Sequence, residues 1–356
     1  MKQLAMVLAL GFWSISYVNA QTDLEGTLRA GPEDAAKYLE GYMEPAILSF
    51  ANGLANGWVN TAKTHKILGL DLTMSLNVAT VPDEALTFAY GAASGWTNLE
   101  LRSGDGNLPT LVGGKSNNVL GLVASATITD PSGVQSPITY TAASGDIDAA
   151  PGIDVSQFPF AGVPTPTVQL GIGLVKNTDL KIRYMPSIAT DDFEFSMFGI
   201  GVMHDIKQWI PGLKLVPIDI AGFVGTTSMS VKMSTRIPDN GGNDKIVSED
   251  GSTEFKVSST TIQILASKKL SIFTPYVSVG YNIVSSNLDV LGTYTYTNNE
   301  GASIDLKDPV SLEFGGGSSP RATIGAQLKL LILTIHADYT LQKYNTFTAG
   351  IGISIR

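Results

Sequence analysis

Residues 68–78 alternate without interruption between an apolar side chain and a small or polar one. The apolar positions are Leu68, Leu70, Leu72, Met74, Leu76 and Val78. Because successive side chains of a β-strand point to opposite faces, the run places every apolar group on one face. A tilted strand needs about 9–11 residues to cross a bilayer, whereas strands of soluble proteins average about 5–6. The run therefore predicts a strand long enough to span a membrane.

The same pattern recurs along the chain. It is clearest at 167–188, where two alternating runs flank a short polar turn, and in three consecutive runs between 322 and 356. Weaker versions lie at 192–205, 215–231, 255–267 and 273–288. In the first of these the apolar phase slips between Met197 and Phe198, which predicts a β-bulge. The pattern predicts an all-β fold, a transmembrane antiparallel β-barrel of about 12 strands within a range of roughly 10–14.

The predicted connections fall into two classes of length. The short ones are 176–178, 207–212, 268–271, 331–332 and 342–345, and the long ones are 102–164, 236–253 and 296–320. Outer-membrane barrels have short periplasmic turns and longer extracellular loops. The difference favours such a barrel, with residues 176–178 as a periplasmic turn.

The face opposite the apolar one predicts a polar lumen. It is rich in Gly, Ser, Thr, Asn and Gln, and its charged members are the candidate lumen-lining residues Asp71, Lys181, Arg183, Glu194, Asp219, Lys329, His336 and Asp338. Aromatic residues near the strand ends fit interfacial girdles. These are Tyr184, Trp209, Tyr276, Tyr294, Tyr296, Tyr339, Tyr344 and Phe347.

The N-terminus reads as an export signal. Residues 1–20 combine Lys2, an apolar run and a small-residue site at Val18-Asn19-Ala20, as secretory signal peptides do. The chain has no cysteine and a formal net charge of −9, so it offers neither disulfides nor the basic surface that nucleic-acid binding needs. We expect an exported protein of the cell outer membrane whose barrel covers residues 66–356.

Residues 31–63 are the one region with helical punctuation, within a helical N-terminal segment predicted for residues 21–65. Pro32 suits a first helical turn, Glu33 and Asp34 favour the positive helix start, and Pro45 predicts a kink or break. We expect one or two short helices ending near residues 53–57. The segment is a candidate plug of the barrel, with the plug candidates Tyr38, Tyr42, Phe50 and Trp58.

Two stretches, 38–77 (YLEGYMEPAILSFANGLANGWVNTAKTHKILGLDLTMSLN) and 195–223, resemble a family of Bacteroidetes outer-membrane β-barrel proteins with no assigned function. A helical segment before a barrel is also similar to the architecture of long-chain fatty-acid (FadL-type) transporters. That resemblance implies a hatch at Tyr38 to Trp58 and sideways passage of hydrophobic compounds. The Asn-Pro-Ala type signature of those transporters is absent and the chain ends Ile355-Arg356 rather than in an aromatic residue, so no ligand residue is carried over.

The sequence predicts no enzyme. It contains no GxSxG, HExxH or phosphate-binding loop, so we expect no catalytic residue, no metal site and no cofactor. His336 and Asp338 lie two residues apart on the lumen face, where a structural network is the expected role. His204 is expected to support the turn beside Trp209, and His65 to lie at the barrel mouth.

Three functions fit these features. The leading one is a channel or transporter for small molecules, hydrophobic ones among them, with outer-membrane lipid and a small hydrophobic ligand as partners. The alternative is a structural or interaction barrel with a closed lumen, whose long extracellular loops bind a partner. The third is a secreted β-sandwich. The sequence leaves the substrate and the oligomeric state open.

Overall fold

A computed structural model describes residues 28, 30–91, 95–115, 117–123, 125–128, 137–141, 146–190, 192–239, 241 and 245–355. The predicted signal peptide, residues 1–20, lies outside this range. One α-helix is present in the described residues, α1 (Pro32–Leu54). The helix is continuous across Pro45, so the predicted break is wrong, although α1 ends close to the expected position. No helix in these ranges is both long and apolar enough to cross a membrane.

The strands follow α1 in one long series. They are β1 (Leu70–Thr80), β2 (Thr87–Ala89), β3 (Leu99–Ser103), β4 (Asn107–Pro109), β5 (Val119–Leu122), β6 (Ser125–Ile128), β7 (Ile138–Thr141), β8 (Asp146–Asp148), β9 (Gly162–Leu174), β10 (Thr178–Ala189), β11 (Phe193–Asp205), β12 (Asp219–Ser234), β13 (Lys245–Val247), β14 (Ser252–Ser267), β15 (Phe273–Leu291), β16 (Thr293–Thr297), β17 (Ser303–Lys307), β18 (Val310–Phe314), β19 (Ser319–Leu330), β20 (Leu333–Leu341) and β21 (Thr346–Ile355).

Ten of these strands close into an antiparallel barrel. Their order is β1, β9, β10, β11, β12, β14, β15, β19, β20 and β21, and β21 pairs back with β1. β18 adds one further pairing beside β15. The predicted all-β barrel with an N-terminal helix is confirmed and the sandwich is excluded, but the barrel has ten closed strands rather than about twelve. The difference arises because β2 to β8 form small sheets of their own outside the barrel.

The two ends of the barrel differ. At one end, which we call the turn end, the connections 175–177, 206–218, 268–272 and 331–332 are compact, and β1 begins and β21 ends there. The other end, the loop end, carries the insertion 81–161 and the long connections 235–251 and 292–318. Two short connections, 190–192 and 342–345, also lie at the loop end. The length pattern is thus less regular than predicted.

The expected bulge at Met197 is not in β11. Pairing of β11 with β12 runs without a register shift, and the alternation of buried and exposed side chains continues through Met197 and Phe198. Met197 points into the barrel and Phe198 outward. The irregularity lies instead in the neighbouring strand β10, between Met185 and Ile188. The apolar phase slips because the lumen itself is apolar near the loop end.

The outer wall of the barrel is apolar and the inner wall is polar. In β1, Leu70, Leu72 and Leu76 are exposed on the outside, whereas Asp71 and Asn77 are buried inside. Large apolar side chains are exposed in the same way around the circumference, for example Ile264, Val279, Ile324 and Ile351. An exposed apolar band of this kind is the surface that a bilayer covers.

Candidate functional site

The chain between Ile47 and Lys66 runs through the barrel lumen from the loop end to the turn end. Its upper part is the C-terminal half of α1, which packs in an apolar collar. The collar comprises Ile47, Leu48, Phe50 and Leu54 of the helix and Met197, Met229, Val257, Val284 and Leu288 of the wall. Such packing is non-directional and depends on filling volume. It holds the helix without specifying single contacts.

Arg183 of β10 clamps the end of α1. Its guanidinium is fully buried and donates from Nη1 to the carbonyl of Leu54 (2.7 Å) and from Nη2 to the carbonyl of Asn56 (2.6 Å). Its Nε donates to Oε1 of Gln169 (3.3 Å), and its Cζ lies 3.7 Å from the ring centroid of Trp58. Gln169 in turn donates to the carbonyl of Trp58 (3.1 Å). One pair of wall residues therefore fixes the chain as it leaves the helix.

Arg321 of β19 approaches the same point from the opposite side. Its Nη1 donates to the carbonyl of Ala55 (3.0 Å) and to Oδ1 of Asn282 (3.1 Å), and its Nη2 donates to Oδ1 of Asn56 (2.7 Å). Neither Arg183 nor Arg321 forms a salt bridge with a carboxylate in the described chain. Their partners are oxygens of the lumen segment, at Leu54, Ala55 and Asn56, and neutral side chains of the barrel wall.

The helix dipole explains why two cations suit this position. The last carbonyls of a helix carry about half a negative charge and attract cations. α1 has no basic residue in its last turn, so the barrel wall provides the positive charges instead. We call Arg183, Gln169 and Arg321 the arginine clamp.

A second fastening lies near the turn end. His65 Nδ1 lies 2.8 Å from Oδ2 of Asp179, and the His65 backbone N–H donates to Oδ1 of the same carboxylate (2.9 Å). His65 Nε2 lies 3.3 Å from Oγ of Ser354, to which Lys329 Nζ donates (3.1 Å). The order Ser, His, Asp is that of a hydrolase triad. Ser354 is only 2 % exposed and its histidine belongs to the lumen segment itself, so the geometry is that of a fastening.

Smaller contacts fill the space between the two fastenings. Thr61 and Ser267 place their hydroxyl oxygens 3.3 Å apart, and Gln327 donates to Oδ1 of Asn60 (3.0 Å). A cavity of about 10 Å³ remains beside Trp58 and Arg321, which is room for about one water molecule. The lumen is therefore closed around the arginine clamp by the chain's own segment.

The structure places the predicted lumen residues in three groups. Asp71, Lys181, Arg183, His336 and Asp338 are buried inside the barrel, Asp219 and Lys329 are half-buried and point inward toward the turn end, and Glu194 is exposed. Glu194 lies on the outward face of β11 and accepts from Ser187 (2.9 Å). Its predicted lumen position is therefore a correction, which follows from the unbroken alternation of β11.

The plug candidates divide in a similar way. Phe50 and Trp58 lie in the lumen, but Tyr38 and Tyr42 pack against the insertion 81–161 outside it. Tyr38 accepts from the N–H of Ala150 (2.9 Å). The N-terminal half of α1 is thus the core of a small cap at the loop end, which is why these two tyrosines do not reach the barrel wall.

Several predicted girdle residues are buried instead. Tyr184, Trp209 and Tyr339 are exposed, and Phe347 stacks on Phe160 with centroids 4.3 Å apart. The buried ones are Tyr276, Tyr294, Tyr296 and Tyr344. Tyr276 faces the lumen and donates to Oδ2 of Asp338 (2.6 Å). For these four, a position near a strand end did not distinguish the outer face from the interior.

Strand pairing is incomplete beside the arginine clamp. β9 pairs with β1 along Gly162–Ile172, but with β10 only from Leu174 up to the pair of Gln169 with Arg183. Within residues 162–189, all of which are described, the loop-end halves of β9 and β10 have no ladder between them. Pro164 and Pro166 in β9 and Pro186 in β10 lack the N–H groups that a ladder needs. We call this unpaired stretch the seam.

Sequence reasoning missed Arg321, Gln169 and Asn56. Arg321 lies between the predicted loop, which ends at residue 320, and the predicted strand, which begins at residue 322, although it shares its face with Thr323 and Gln327 of the same strand. Extending the alternation by one residue would have placed Arg321 in the lumen. Asn56 belongs to the non-periodic segment after the helix, and no sequence signal marks its contact.

The family follows from a comparison with known sequence families. A family model matches residues 1–355. The chain belongs to DUF6588, a family of unknown function. A search of curated protein sequences finds no match. The Bacteroidetes origin expected from the resemblance stays a prediction.

The solved structures that match this chain include three outer-membrane proteins. The translocator domain of the autotransporter NalP from Neisseria meningitidis is 12% identical, covers 92% of this chain and 99% of its own, and has a TM-score of 0.24. The transport unit of AIDA-I from Escherichia coli is 10% identical over 88% and 99%, with a TM-score of 0.28. The toluene transporter TodX from Pseudomonas putida is 9% identical over 89% and 92%, with a TM-score of 0.24. The activity must be argued from the geometry.

Proposed function

We propose that this protein is an outer-membrane transporter that passes small hydrophobic molecules through a lumen gated by residues 47–66. The observation that carries the proposal is that one residue pair both ends the β9–β10 ladder and binds the lumen segment. The last pair between β9 and β10, Gln169 with Arg183, is also the pair that clamps the lumen segment. Release of the segment would therefore free the residues at which the seam begins.

The seam leads toward apolar surroundings. Val163 and Met185, on the two strands that border it, pack against the apolar cluster around α1, and Tyr184 is exposed on the outer wall. A hydrophobic molecule could thus move between the apolar collar and the bilayer without crossing a charged ring. This arrangement supports hydrophobic substrates over ions.

Beyond α1, the segment is held in part by hydrogen bonds that water or a ligand can replace. The arginine clamp, the His65–Asp179 pair and the hydroxyl contact at Thr61 are all non-covalent, and the exposed lumen wall would be rich in Ser, Thr, Asn and Gln. Such a wall stays hydrated when a pore opens. The gating proposal requires movement of the segment and no unfolding of the barrel.

A reversible cross-link tests the proposal. The chain has no cysteine, so the pair Thr61→Cys and Ser267→Cys would form the one disulfide of the protein. The two hydroxyl oxygens lie 3.3 Å apart, which brings the replacing sulfurs within reach of each other. We expect oxidised protein in planar bilayers or liposomes to pass neither ions nor small aromatic solutes. Reduction of the same sample should restore passage, and each single-cysteine variant serves as the control.

The closed interaction barrel is the second candidate. Dense filling of the lumen around the arginine clamp favours it, because the cavity beside Trp58 and Arg321 has room for about one water molecule. It predicts no passage in either redox state, although the barrel still shows heat-modifiable migration. That result would overturn the transporter proposal.

A further inference from the structure

The turn end of the barrel exposes apolar side chains at the tips of its connections. They are Ile67, Leu68, Val175, Trp209, Ile210, Leu215, Leu270, Ile272, Leu331 and Ile332, which we call the turn-end collar. The exposed fractions reach 94% for Leu331 and 89% for Leu215. Turns in water are dominated by Gly, Asn, Asp, Ser and Pro. The composition of this end is therefore unlike that of a surface facing water.

Two of these side chains occupy unfavourable backbone positions. Leu331 has φ 58° and Leu68 has φ 63°, both in the left-handed region. A residue other than Gly or Asn costs of order 1–3 kcal/mol there. Glycine would relieve this strain, so leucine at these two positions carries a backbone cost. An apolar environment around the tips would offset it.

Lysines accompany the apolar tips. Lys66, Lys176, Lys268 and Lys269 are exposed in the same connections, and none of them pairs with a carboxylate in the described parts of the chain. The nearby carboxylate of Asp205 is half-buried and accepts from the N–H of Lys207. The turn end thus combines exposed apolar groups with unneutralised positive charge.

An apolar groove extends from the turn-end collar along the outer wall. It is open, has a volume of about 530 Å³ and is lined by Val202, His204, Val224, Ile262, Ile264 and Val279, among others. Gly222 lies in the groove, and a Cβ there would meet only Ile206 at an ordinary 3.6 Å. His204 joins groove and collar because its Nε2 accepts from Nε1 of Trp209 (2.8 Å). The groove is open toward the lipid side and its lining is mainly apolar, which suits an acyl chain.

We propose that the turn-end collar lies in the headgroup layer of a leaflet containing anionic phospholipid, with one acyl chain of a lipid in the groove above it. The exposed lysines would contact phosphate while the apolar tips reach the acyl boundary. A lipid fits better than a protein partner because the collar involves every turn-end connection around the barrel and continues into a groove on the lipid-facing wall. The proposal requires insertion in a bilayer but no transport.

Depth in the bilayer is the first test. Leu331→Cys in the cysteine-free chain can carry a bimane fluorophore, with exposed Lys307→Cys at the loop end as the matched control. In phosphatidylglycerol-containing liposomes, we expect bimane at 331 to be quenched by lipids brominated near the headgroup and protected from aqueous iodide. The label at 307 should show the reverse. Iodide quenching at 331 equal to that at 307 would overturn the proposal.

Charge selectivity is the second test. Replacing Lys66, Lys176, Lys268 and Lys269 together by glutamine should lower the preference of the protein for spin-labelled phosphatidylglycerol over phosphatidylcholine by about fivefold or more, since one lysine near the surface contributes about 1 kcal/mol. The control replaces the exposed loop-end lysines Lys115, Lys256, Lys307 and Lys343 by glutamine and should leave the preference unchanged. An unchanged preference in the first variant would overturn the anionic-headgroup assignment.

The groove is tested separately. Gly222→Leu should fill the groove without a backbone clash and reduce the amount of co-purified lipid that native mass spectrometry detects. Gly222→Ala should change that amount little. A photo-cross-linker at position 331 that captures a protein in cells instead of lipid would also overturn the proposal. None of these readouts depends on passage of solute, so failure of the transporter proposal would be seen independently.

Discussion

The lumen segment is held in two different ways along its length. Near the loop end, α1 lies in the apolar collar, where Leu48 and Leu54 are fully buried. Past the helix, from Ala55 to His65, directional contacts are added to a second apolar cluster, in which Trp58 and Ala62 pack against Met203, Phe223 and Leu265. The directional contacts are those of the arginine clamp and of the pair of His65 with Asp179. The upper contact depends on shape alone, whereas the lower one also depends on individual hydrogen bonds.

The difference indicates which half can move. Apolar packing in a closed lumen has no substitute partner, because water in the same space would be unfavourable. Hydrogen bonds to carbonyls can be exchanged for water at a net cost of only about 0.5–1.5 kcal/mol each, more when a charged donor is involved. Under the transport proposal, we therefore expect the polar lower half to open first while the helix stays in place.

Removing Arg183 should have the largest effect. Arg183→Met keeps an unbranched apolar stem but removes the guanidinium, and so leaves the carbonyls of Leu54 and Asn56 without these donors in the buried lumen. With hydrogen bonds to charged groups contributing about 1.5–3 kcal/mol each, we expect a loss of about 4 kcal/mol in unfolding free energy. Urea unfolding in detergent micelles measures it. Arg236→Met, at an exposed arginine, should lose less than about 0.5 kcal/mol; equal losses would contradict the role of the clamp.

Leu48→Ala tests the apolar half. Truncation of a buried leucine leaves a cavity and lowers the free energy of unfolding by about 2–5 kcal/mol. We expect a loss of about 3 kcal/mol because the apolar collar cannot collapse inside a closed barrel. The matched control is Leu328→Ala on the outer wall, where lipid or detergent refills the space. Because the clamp remains intact, Leu48→Ala should open no more often than the wild type in bilayer recordings. A higher open probability in this variant would show that the apolar half is the gate.

Tyr344 reports on the same apolar half through pH. Burial, reinforced by Glu44 and Glu84, raises the pKa of Tyr344 from 10.0 to about 12. In the unfolded chain the phenol ionises near pH 10, while the folded protein keeps it neutral. The folded state then binds more protons, so stability is complete below pH 10 and falls as pH rises toward 12. We expect about 2–3 kcal/mol more loss over this interval in wild type than in Tyr344→Phe. An equal loss of unfolding free energy in wild type and Tyr344→Phe between about pH 10 and 12 would contradict the effect of burial on the pKa of Tyr344.

The barrel could be predicted from the sequence because its outer face is apolar along whole strands. β1 shows this: Leu70, Leu72 and Leu76 alternate with buried polar residues in the order that the sequence predicts. The lumen was harder because its composition changes along the axis. Met197 faces inward although it is apolar, and Glu194 faces outward although it is charged.

The gate itself could be predicted only in part. Arg183 was placed in the lumen by alternation, but its partners are backbone carbonyls of a segment distant in sequence, and carbonyls carry no sequence signal. The strands of the insertion misled the strand count because they are short and pair among themselves. The alternation of apolar and polar residues identifies which side chains face the lumen. It does not identify which part of the chain fills the lumen.

The smallest predicted effect concerns the fastening at the turn end. Asp179→Asn removes one of the two acceptor oxygens that bind His65 and should weaken docking of the lower segment by about 1.4 kcal/mol, a tenfold change in its open population. Ala62→Cys reports this opening, because Ala62 is 1% exposed and reacts with a maleimide only when the segment leaves the wall. We expect about tenfold faster labelling in the double variant than in Ala62→Cys alone. Asp71→Asn, another buried lumen carboxylate that instead accepts from Thr73, is the control and should leave the rate unchanged. If Asp71→Asn accelerates labelling equally, loss of charge anywhere in the lumen loosens the segment, and the polar half would open as a whole rather than at its individual fastenings.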